Sequence, residues 1–491
     1  MKKLSIGETV RLVCGREVVV TSCCGEGRSC CLYVVEHNSD RSLLKWYKEI
    51  LLGEPNRFYS NVHKNVMRGA PSKSFLWAID ITENIEGSFG YCTAFPPSGY
   101  RSLASYFTTQ DQWVFKSYRM IVESCMQIAS AFGVLHQEGY CYQSFDLGSI
   151  LVNPETGDVL ICDNDNVAPN NGDVFDYGSF CLRAPELVAP EVLDRTVASD
   201  IEASRVRPCD WDPTNSESQE VYRQVVRELS IESGIDLGMD LKANGTRAVF
   251  KAQPSSSTDY WSLAVVLFMI LCKGHPLEGE KWLKPLMTPA DECALYGSNA
   301  TFVCSPIDSS NRLNPVVHAN VIARWELLPS YVKNVFMRAF SRDAVRNPNS
   351  RLREIDWMRV LARFQAEIVR CRKCSAEVFM SDADNAVCNE CGEVQRIGCS
   401  LRFRDFTVAA TEGMCIYRCM LGSSSAMNAL ARVGTIVVHP SKAGMYFRND
   451  SGATLLGRTP KGTVKVVPPE GVVPLKPGIT VEFDFGQFAV E

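Results

Sequence analysis

At 491 residues the chain is too long for one hydrophobic core and predicts two to four domains. Apolar residues at 46% and charged residues at 22% are ordinary for a soluble globular chain, and a net charge of −5 gives no basis for nucleic acid or an anionic membrane as partner. Residues 1–8 lack an apolar core, so no signal peptide is expected, and the longest apolar run, residues 260–272, is too short to cross a bilayer and reads as a buried helix. The 21 cysteines follow no disulfide framework and read as the reduced thiols of a cytoplasmic protein.

In chain order, residues 8–48 predict a strand meander, with Thr9-Val10-Arg11-Leu12-Val13 and Glu17-Val18-Val19-Val20-Thr21 as β-rich runs. A Gly loop, Gly25-Glu26-Gly27-Arg28-Ser29-Cys30, feeds a strand at 31–35, and Lys45 lies on the next strand, 42–47. Residues 55–68 predict a helix without an acidic residue; Glu49 and Glu54 precede it and Asn61 lies within it. Strands are expected over 71–80 and 87–92, a hinge near 92–98, and a helix over 114–133 with Met120, Ile121, Cys125, Ile128 and Phe132 at helical spacing.

The stretch that organises the chain follows. An apolar helix ends near His136. An irregular loop, Tyr142-Gln143-Ser144-Phe145-Asp146-Leu147-Gly148-Ser149, leads into two short strands that turn at Glu155-Thr156-Gly157-Asp158 and close on Cys162-Asp163-Asn164-Asp165-Asn166. This resembles the catalytic loop and metal-binding strand of protein kinases, H-R-D-L-x-x-x-N followed by D-F-G. Aligned on Ile150-Leu151, the H-R-D position carries Tyr142-Gln143-Ser144, the Asn position carries Ser149, and D-F-G carries Asp163-Asn164-Asp165. The resemblance implies a nucleotide site that holds ATP with magnesium, through Gly25 and Gly27 of the Gly-rich loop, Lys45, Ser149 and Asp163. It also implies a missing base, because Ser144 stands where a kinase has its proton acceptor, and a weaker cation ligand at Ser149. Asp146, two residues on, is the candidate substitute base.

Beyond Asp163, Ala189-Pro190-Glu191 matches the kinase A-P-E signature, and Ala184-Pro185-Glu186 reads as a decoy five residues earlier. Asp259-Tyr260-Trp261-Ser262-Leu263 resembles the buried helix whose Asp ties the catalytic loop from below. Residues 193–257 are an insertion, with a helix expected over 216–233. Arg351 is expected to pair with Glu191. Leu295-Tyr296-Gly297, Asn311-Arg312, Trp325 and Trp357 further resemble bacterial kinases encoded in tellurite-resistance-type clusters. That likeness implies protein partners or substrates, among them a von Willebrand-domain protein and a metal-dependent phosphatase.

Cys371-Arg372-Lys373-Cys374 and Cys388-Asn389-Glu390-Cys391-Gly392 are two C-x-x-C knuckles. Four thiolates on two tight turns suit a tetrahedral structural zinc with no open coordination position. From residue 397 on the pattern is all β. Phe447-Arg448-Asn449-Asp450-Ser451 and Val481-Glu482-Phe483-Asp484-Phe485-Gly486 resemble a forkhead-associated β-sandwich, which implies phosphothreonine recognition, although the usual G-R and S-x-x-H elements are absent.

The expected fold is α+β: a two-lobed protein-kinase fold, with N-lobe 1–91 and C-lobe 92–369, then a zinc ribbon at 370–395 and a β-sandwich at 396–491. Three functions follow. The chain is a nucleotide-binding pseudokinase or scaffold, an active Ser/Thr kinase that uses Asp146, or an interaction module acting through ribbon and sandwich.

Overall fold

A computed structural model describes residues 3–27, 30–47, 55–84, 88–108, 114–170, 172, 178–189, 235–240, 247–380, 385–396, 398–438 and 444–491. Glu49, Glu54, Glu191 and the helix expected over 216–233 lie outside the described residues.

The β-rich N-terminal stretch forms β1 (Thr9–Arg11), β2 (Glu17–Glu26), β3 (Cys30–His37) and β4 (Asp40–Tyr47). With β5 (Asp80–Ile81) and β6 (Gly90–Thr93) they make an antiparallel sheet of order β1-β2-β3-β4-β6-β5. Residues 71–79, expected as a strand, are mostly irregular, and Leu76 spends its backbone N–H on Ile161. The period-2 alternation of β4 sends Leu44 and Trp46 into one apolar layer with Tyr33 and Val35, and Tyr47 into another. On that second side lies α1 (Pro55–Arg68), whose Phe58 and Val62 pack with Tyr47 and Phe89. Lys45 pairs in register with Leu32 on one side and Tyr91 on the other.

The second lobe is built on α2 (Tyr118–Gln137) and α4 (Ser256–Cys272). Ile121, Cys125, Ile128 and Phe132 of α2 are buried as their spacing predicts, and the apolar run 260–272 is the buried helix expected of it. α4 ends where Lys273 turns left-handed, its N–H returning to Met269. Between these helices lie β7 (Arg101–Ser102), β8 (Tyr140–Cys141), β9 (Ile150–Val152), β10 (Val159–Ile161), β11 (Ala168–Pro169) and the short helix α3 (Pro185–Val188). Within the insertion, β12 (Ile235–Asp240) and β13 (Arg247–Ala252) pair antiparallel. Then come α5 (Pro289–Cys293), α6 (Ala319–Leu327), α7 (Ser330–Ala339), α8 (Arg342–Arg346) and α9 (Glu354–Glu367).

Two hairpins carry the cysteines: β14 (Ile368–Arg370) with β15 (Glu377–Phe379), and β16 (Asn385–Val387) with β17 (Val394–Arg396). Ten more strands follow: β18 (Ser400–Arg402), β19 (Thr407–Ala409), β20 (Cys415–Tyr417), β21 (Arg432–Val438), β22 (Met445–Asn449), β23 (Leu455–Arg458), β24 (Val464–Val467), β25 (Val472–Pro474), β26 (Thr480–Phe483) and β27 (Gly486–Val490). They form two sheets, of order β19-β18-β27-β26-β23-β24 and β20-β21-β22-β25. Their shared core is continuous with that of the helical lobe. Arg359 of α9 donates to the carbonyls of Cys419 and Ser423 at 3.3 and 3.2 Å.

Candidate nucleotide site and four-cysteine cluster

The lobes meet where β4 faces the turn after β10. Lys45 Nζ lies 2.7 Å from Asp163 Oδ1 and 3.1 Å from Asp165 Oδ2. Asp163 takes a left-handed backbone (φ 51°, ψ 47°), which starts a short 3-10 turn over Asn164–Asn166. Tyr47 donates its hydroxyl to the same Asp165 oxygen. Burial alone would lower the Lys45 pKa; Asp163 and then Asp165 more than offset that and hold it well above the ordinary value. The Tyr47 and Tyr91 hydroxyls around the pair are pushed well up by burial and by Asp165, and stay neutral.

Asn61, the polar residue singled out within α1, turns to the backbone after Asp163 and not to Lys45. Its amide donates to the carbonyls of Asp165 and Val167 at 2.9 and 3.0 Å. Asn65, one turn on, donates to Asn164 and Val167 at 3.2 and 2.9 Å.

Gly25 and Gly27 sit at the end of the β2–β3 hairpin, where Gly27 N–H bonds the Cys30 carbonyl at 2.9 Å. A Cβ on either glycine would meet only ordinary contacts, 3.6 Å or longer, so neither is there for lack of room.

The loop is pinned from beneath. Asp259 of α4 accepts from the backbone N–H groups of Tyr142 (2.6 Å) and Gln143 (3.3 Å) and from His136 Nε2 (2.9 Å). The other nitrogen of His136 meets Glu354. Burial would lower the His136 pKa, but Glu354 and Asp259 raise it from 6.5 to about 9. Folding therefore raises this pKa above its unfolded value, so the stabilisation is complete below about pH 6.5 and fades as pH rises through about 9. Unfolding followed against pH should show stability falling across that window in the native chain and not in His136→Gln; equal pH slopes in the two would refute the assignment.

Ser144 is buried, and the backbone of Gly178 (φ 68°) packs on the Ser144–Phe145 peptide so closely that an added Cβ would stand 2.5 Å from Phe145 N and O. Asp146 is exposed; its Oδ1 caps Gly148 N–H at 2.6 Å and its Oδ2 accepts the Ser179 hydroxyl. Ser149 points inward, 2% exposed: its hydroxyl donates to the Asp146 carbonyl at 2.7 Å, and the Tyr142 hydroxyl lies 3.2 Å from it while giving its one proton to the Cys162 carbonyl at 2.6 Å. Lys45 and Asp163 thus suit a phosphate and a cation. The Ser149 hydroxyl, buried and turned onto the Asp146 carbonyl, is poorly placed as a second cation ligand.

The expected pairing of Arg351 with Glu191 is corrected. Arg351 forks onto Glu186, Nη1 to Oε1 at 2.7 Å and Nη2 to Oε2 at 2.6 Å, both side chains almost fully buried. The supposed decoy Ala184-Pro185-Glu186 is the working copy, with Pro185 opening α3. Two identical tripeptides five residues apart cannot be told apart by pattern; the reach of Arg351 decides.

The sulfurs of Cys371, Cys374, Cys388 and Cys391 lie within 4.8 Å of one another. Cys371–Cys391 and Cys374–Cys388 are 3.6 and 3.5 Å apart. A tetrahedral ion with bonds of about 2.3 Å requires sulfurs about 3.8 Å apart, so the cluster fits such an ion. The Gln395 amide, 3.3 Å from Cys371 Sγ, and Lys373 N–H, at 3.4 Å, favour thiolate there. Between the cluster's hairpins and the sandwich is a cavity of about 790 Å³, bordered by Arg119, Arg372, Glu377 and Met445. Arg119 and Glu377 are both spent within the fold: Arg119 donates to the Gln365 and Ile368 carbonyls, and Glu377 accepts the first N–H groups of α2.

In the sandwich, Asn449 is fully buried and donates to the carbonyls of Ala453, Val467 and Pro468; Arg448 is held by Asp450 at 2.6 Å. Both side chains hold strands and loops together. Sequence reading missed Tyr47 and Glu377 as contact residues, because neither stands in a local pattern that marks it; Asp165 is marked by its place in the D-F-G stretch, but its contact with Lys45 is not.

No protein-family model matches the chain, and no curated protein matches it. Among solved structures, the PknI kinase domain of Mycobacterium tuberculosis and a double mutant of it align at TM-scores of 0.40 and 0.41 and 12% identity, over 73% of this chain and 98% of that chain. At that overlap the resemblance is one of outline, and the functional reading comes from this chain's own contacts. Among the described residues, no helix is long and apolar enough to cross a membrane.

Proposed function

We propose that residues 1–369 are a protein-kinase-like signalling unit that binds a nucleotide and acts by binding more than by phosphoryl transfer. The observation that carries this is the Lys45–Asp163 ion pair between the lobes, set beside a Ser149 turned inward and a Ser144 with no carboxylate. Lys45 and Asp163 are the residues that would hold the phosphates and the magnesium of ATP. Phosphoryl transfer rests on positioning and charge, and a lost general base typically costs ~100- to 10,000-fold.

A second reading, an active Ser/Thr kinase using Asp146, is favoured by one contact: the Asp146 carboxylate already accepts a serine hydroxyl, that of Ser179. The two are separated by titrating the full chain with ATP and magnesium while following thermal shift and phosphate incorporation. A shift with no incorporation is expected. Incorporation that disappears in Asp146→Asn would establish the second reading instead, and no shift would refute nucleotide binding.

The four-cysteine cluster is a structural zinc ribbon, because all four positions are filled by protein sulfur. The order of the two C-terminal sheets supports a forkhead-associated-like sandwich. With Asn449 and Arg448 engaged internally, its role is to dock ribbon and sandwich on the helical lobe as a surface for protein partners. A von Willebrand-domain protein and a metal-dependent phosphatase are the partners to test first, by pull-down with the full chain.

A further inference from the structure

We propose that Asp165 is a positioning residue for Lys45, supplying from the turn after Asp163 the carboxylate that the helix behind β4 does not have; this rests on the nucleotide reading of the Lys45–Asp163 site. The helix α1 carries Arg57, Asn61, Lys64, Asn65 and Arg68 and no acidic residue. A buried ammonium without an anion is strongly unfavourable, so the charge has to come from elsewhere.

The two carboxylates at Lys45 are not equivalent. The Asp163 side chain is 46% exposed, whereas that of Asp165 is 2% exposed. Asp163 is therefore the one free to turn to a cation. Asp165 is fixed: Tyr47 donates to its Oδ2, and its backbone carbonyl is held by Asn61. Its Oδ1 is buried with no hydrogen-bond partner. A lysine ammonium has three donors, so when Asp163 is drawn away that oxygen can accept a further ammonium proton and keep Lys45 aimed into the cleft.

The asparagines complete the arrangement. Through Asn61 and Asn65, α1 makes four N–H···O bonds to carbonyls of residues 164–167. The helix thus holds the turn that carries the charge, by neutral contacts instead of by an ion pair to Lys45. Lys45 is then set whenever the 164–166 turn is set, with no swing of an acidic helix required.

The test uses the full chain with lysine side-chain nitrogens labelled, and reads the slowly exchanging Lys45 ammonium signal by NMR, assigned by its loss in Lys45→Met. The signal should persist in Asp163→Asn and disappear in Asp165→Asn. A signal lost in Asp163→Asn and kept in Asp165→Asn overturns the proposal, and the Asp163 variant decides the matter even if Asp165→Asn does not fold. In calorimetry with ATP and magnesium, Asp165→Asn should weaken binding about 10- to 100-fold, the worth of one charge-assisted hydrogen bond. Lys45→Met with Asp165→Asn should be no weaker than Lys45→Met alone; additive losses would mean that Asp165 acts independently of Lys45. A native chain that binds no ATP sinks the nucleotide reading alone, because the ammonium signal reports on Asp165 without nucleotide.

Discussion

Removing the zinc proposed for the four-cysteine cluster should unfold the hairpins of 368–396 and loosen the helical lobe beneath them. The two hairpins have almost no core of their own: Val378, Met380 and Ala386, with Ala409 from the sandwich, are the buried apolar residues that cluster with Cys371 and Cys388 among those described, and Ile368 of β14 packs into the core of the helical lobe instead. Three-residue strands with so little apolar burial are not stable unaided. Zinc in such sites contributes about 10–16 kcal/mol of apparent folding free energy at pH 7, far more than the hairpins can supply. The effect should travel, because Glu377 on β15 accepts the N–H groups of Tyr118 and Arg119 at 2.7 and 3.1 Å and so caps α2. Loss of such a cap costs about 1 kcal/mol. Elemental analysis should find one zinc per chain. Chelation, or Cys371→Ser, should raise hydrogen exchange across 368–396 and at the first turn of α2 and leave the N-terminal sheet unchanged. A metal-free chain with the same exchange pattern would show that the cysteines are core thiols.

Arg351→Ala is expected to cost about 3–5 kcal/mol, the range for breaking a buried ion pair and leaving one charge behind. Arg351 uses all three nitrogens: Nε on the Ala344 carbonyl (3.0 Å), Nη1 on Glu186 and the Ser257 carbonyl (2.9 Å), and Nη2 on Glu186. It therefore joins α3, the start of α4 and α8, and stands over Trp261. Glu186→Ala should cost as much, Glu191→Ala should cost less than Glu186→Ala, and Arg351→Met with Glu186→Leu should be less destabilised than either single change. Urea unfolding of the four variants checks this. A large loss at Glu191 with none at Glu186 would reinstate the pairing that the sequence pattern favours.

Both predictions rest on features of unequal visibility in the chain. The C-x-x-C pairs are legible because each knuckle is local and the spacing within it sets sulfur geometry. The strand meander, α1, α2 and the buried run of α4 are legible because period-2 and helical spacing reflect which face meets a core. Arg351 was visible as a residue with a partner, but the tripeptide alone pointed to the wrong one. Ser149 was visible as a weak oxygen ligand; that its hydroxyl turns inward onto the Asp146 carbonyl was not, since each staggered rotamer of a serine is compatible with its sequence neighbours.

By itself the amino-acid order determined the strand meander, α1, α2 and α4, the four thiols, the lysine on β4 and the absence of a carboxylate at Ser144 and along α1. Only the tertiary structure decided that Asp165 meets Lys45 from 120 positions away, that Asn61 and Asn65 hold its turn, and that Glu186 takes Arg351. The division has a physical cause. Local spacing fixes which way a side chain faces, but a charge buried between two lobes chooses its partner by which carboxylate the packing brings within about 3 Å, and no local pattern records that distance.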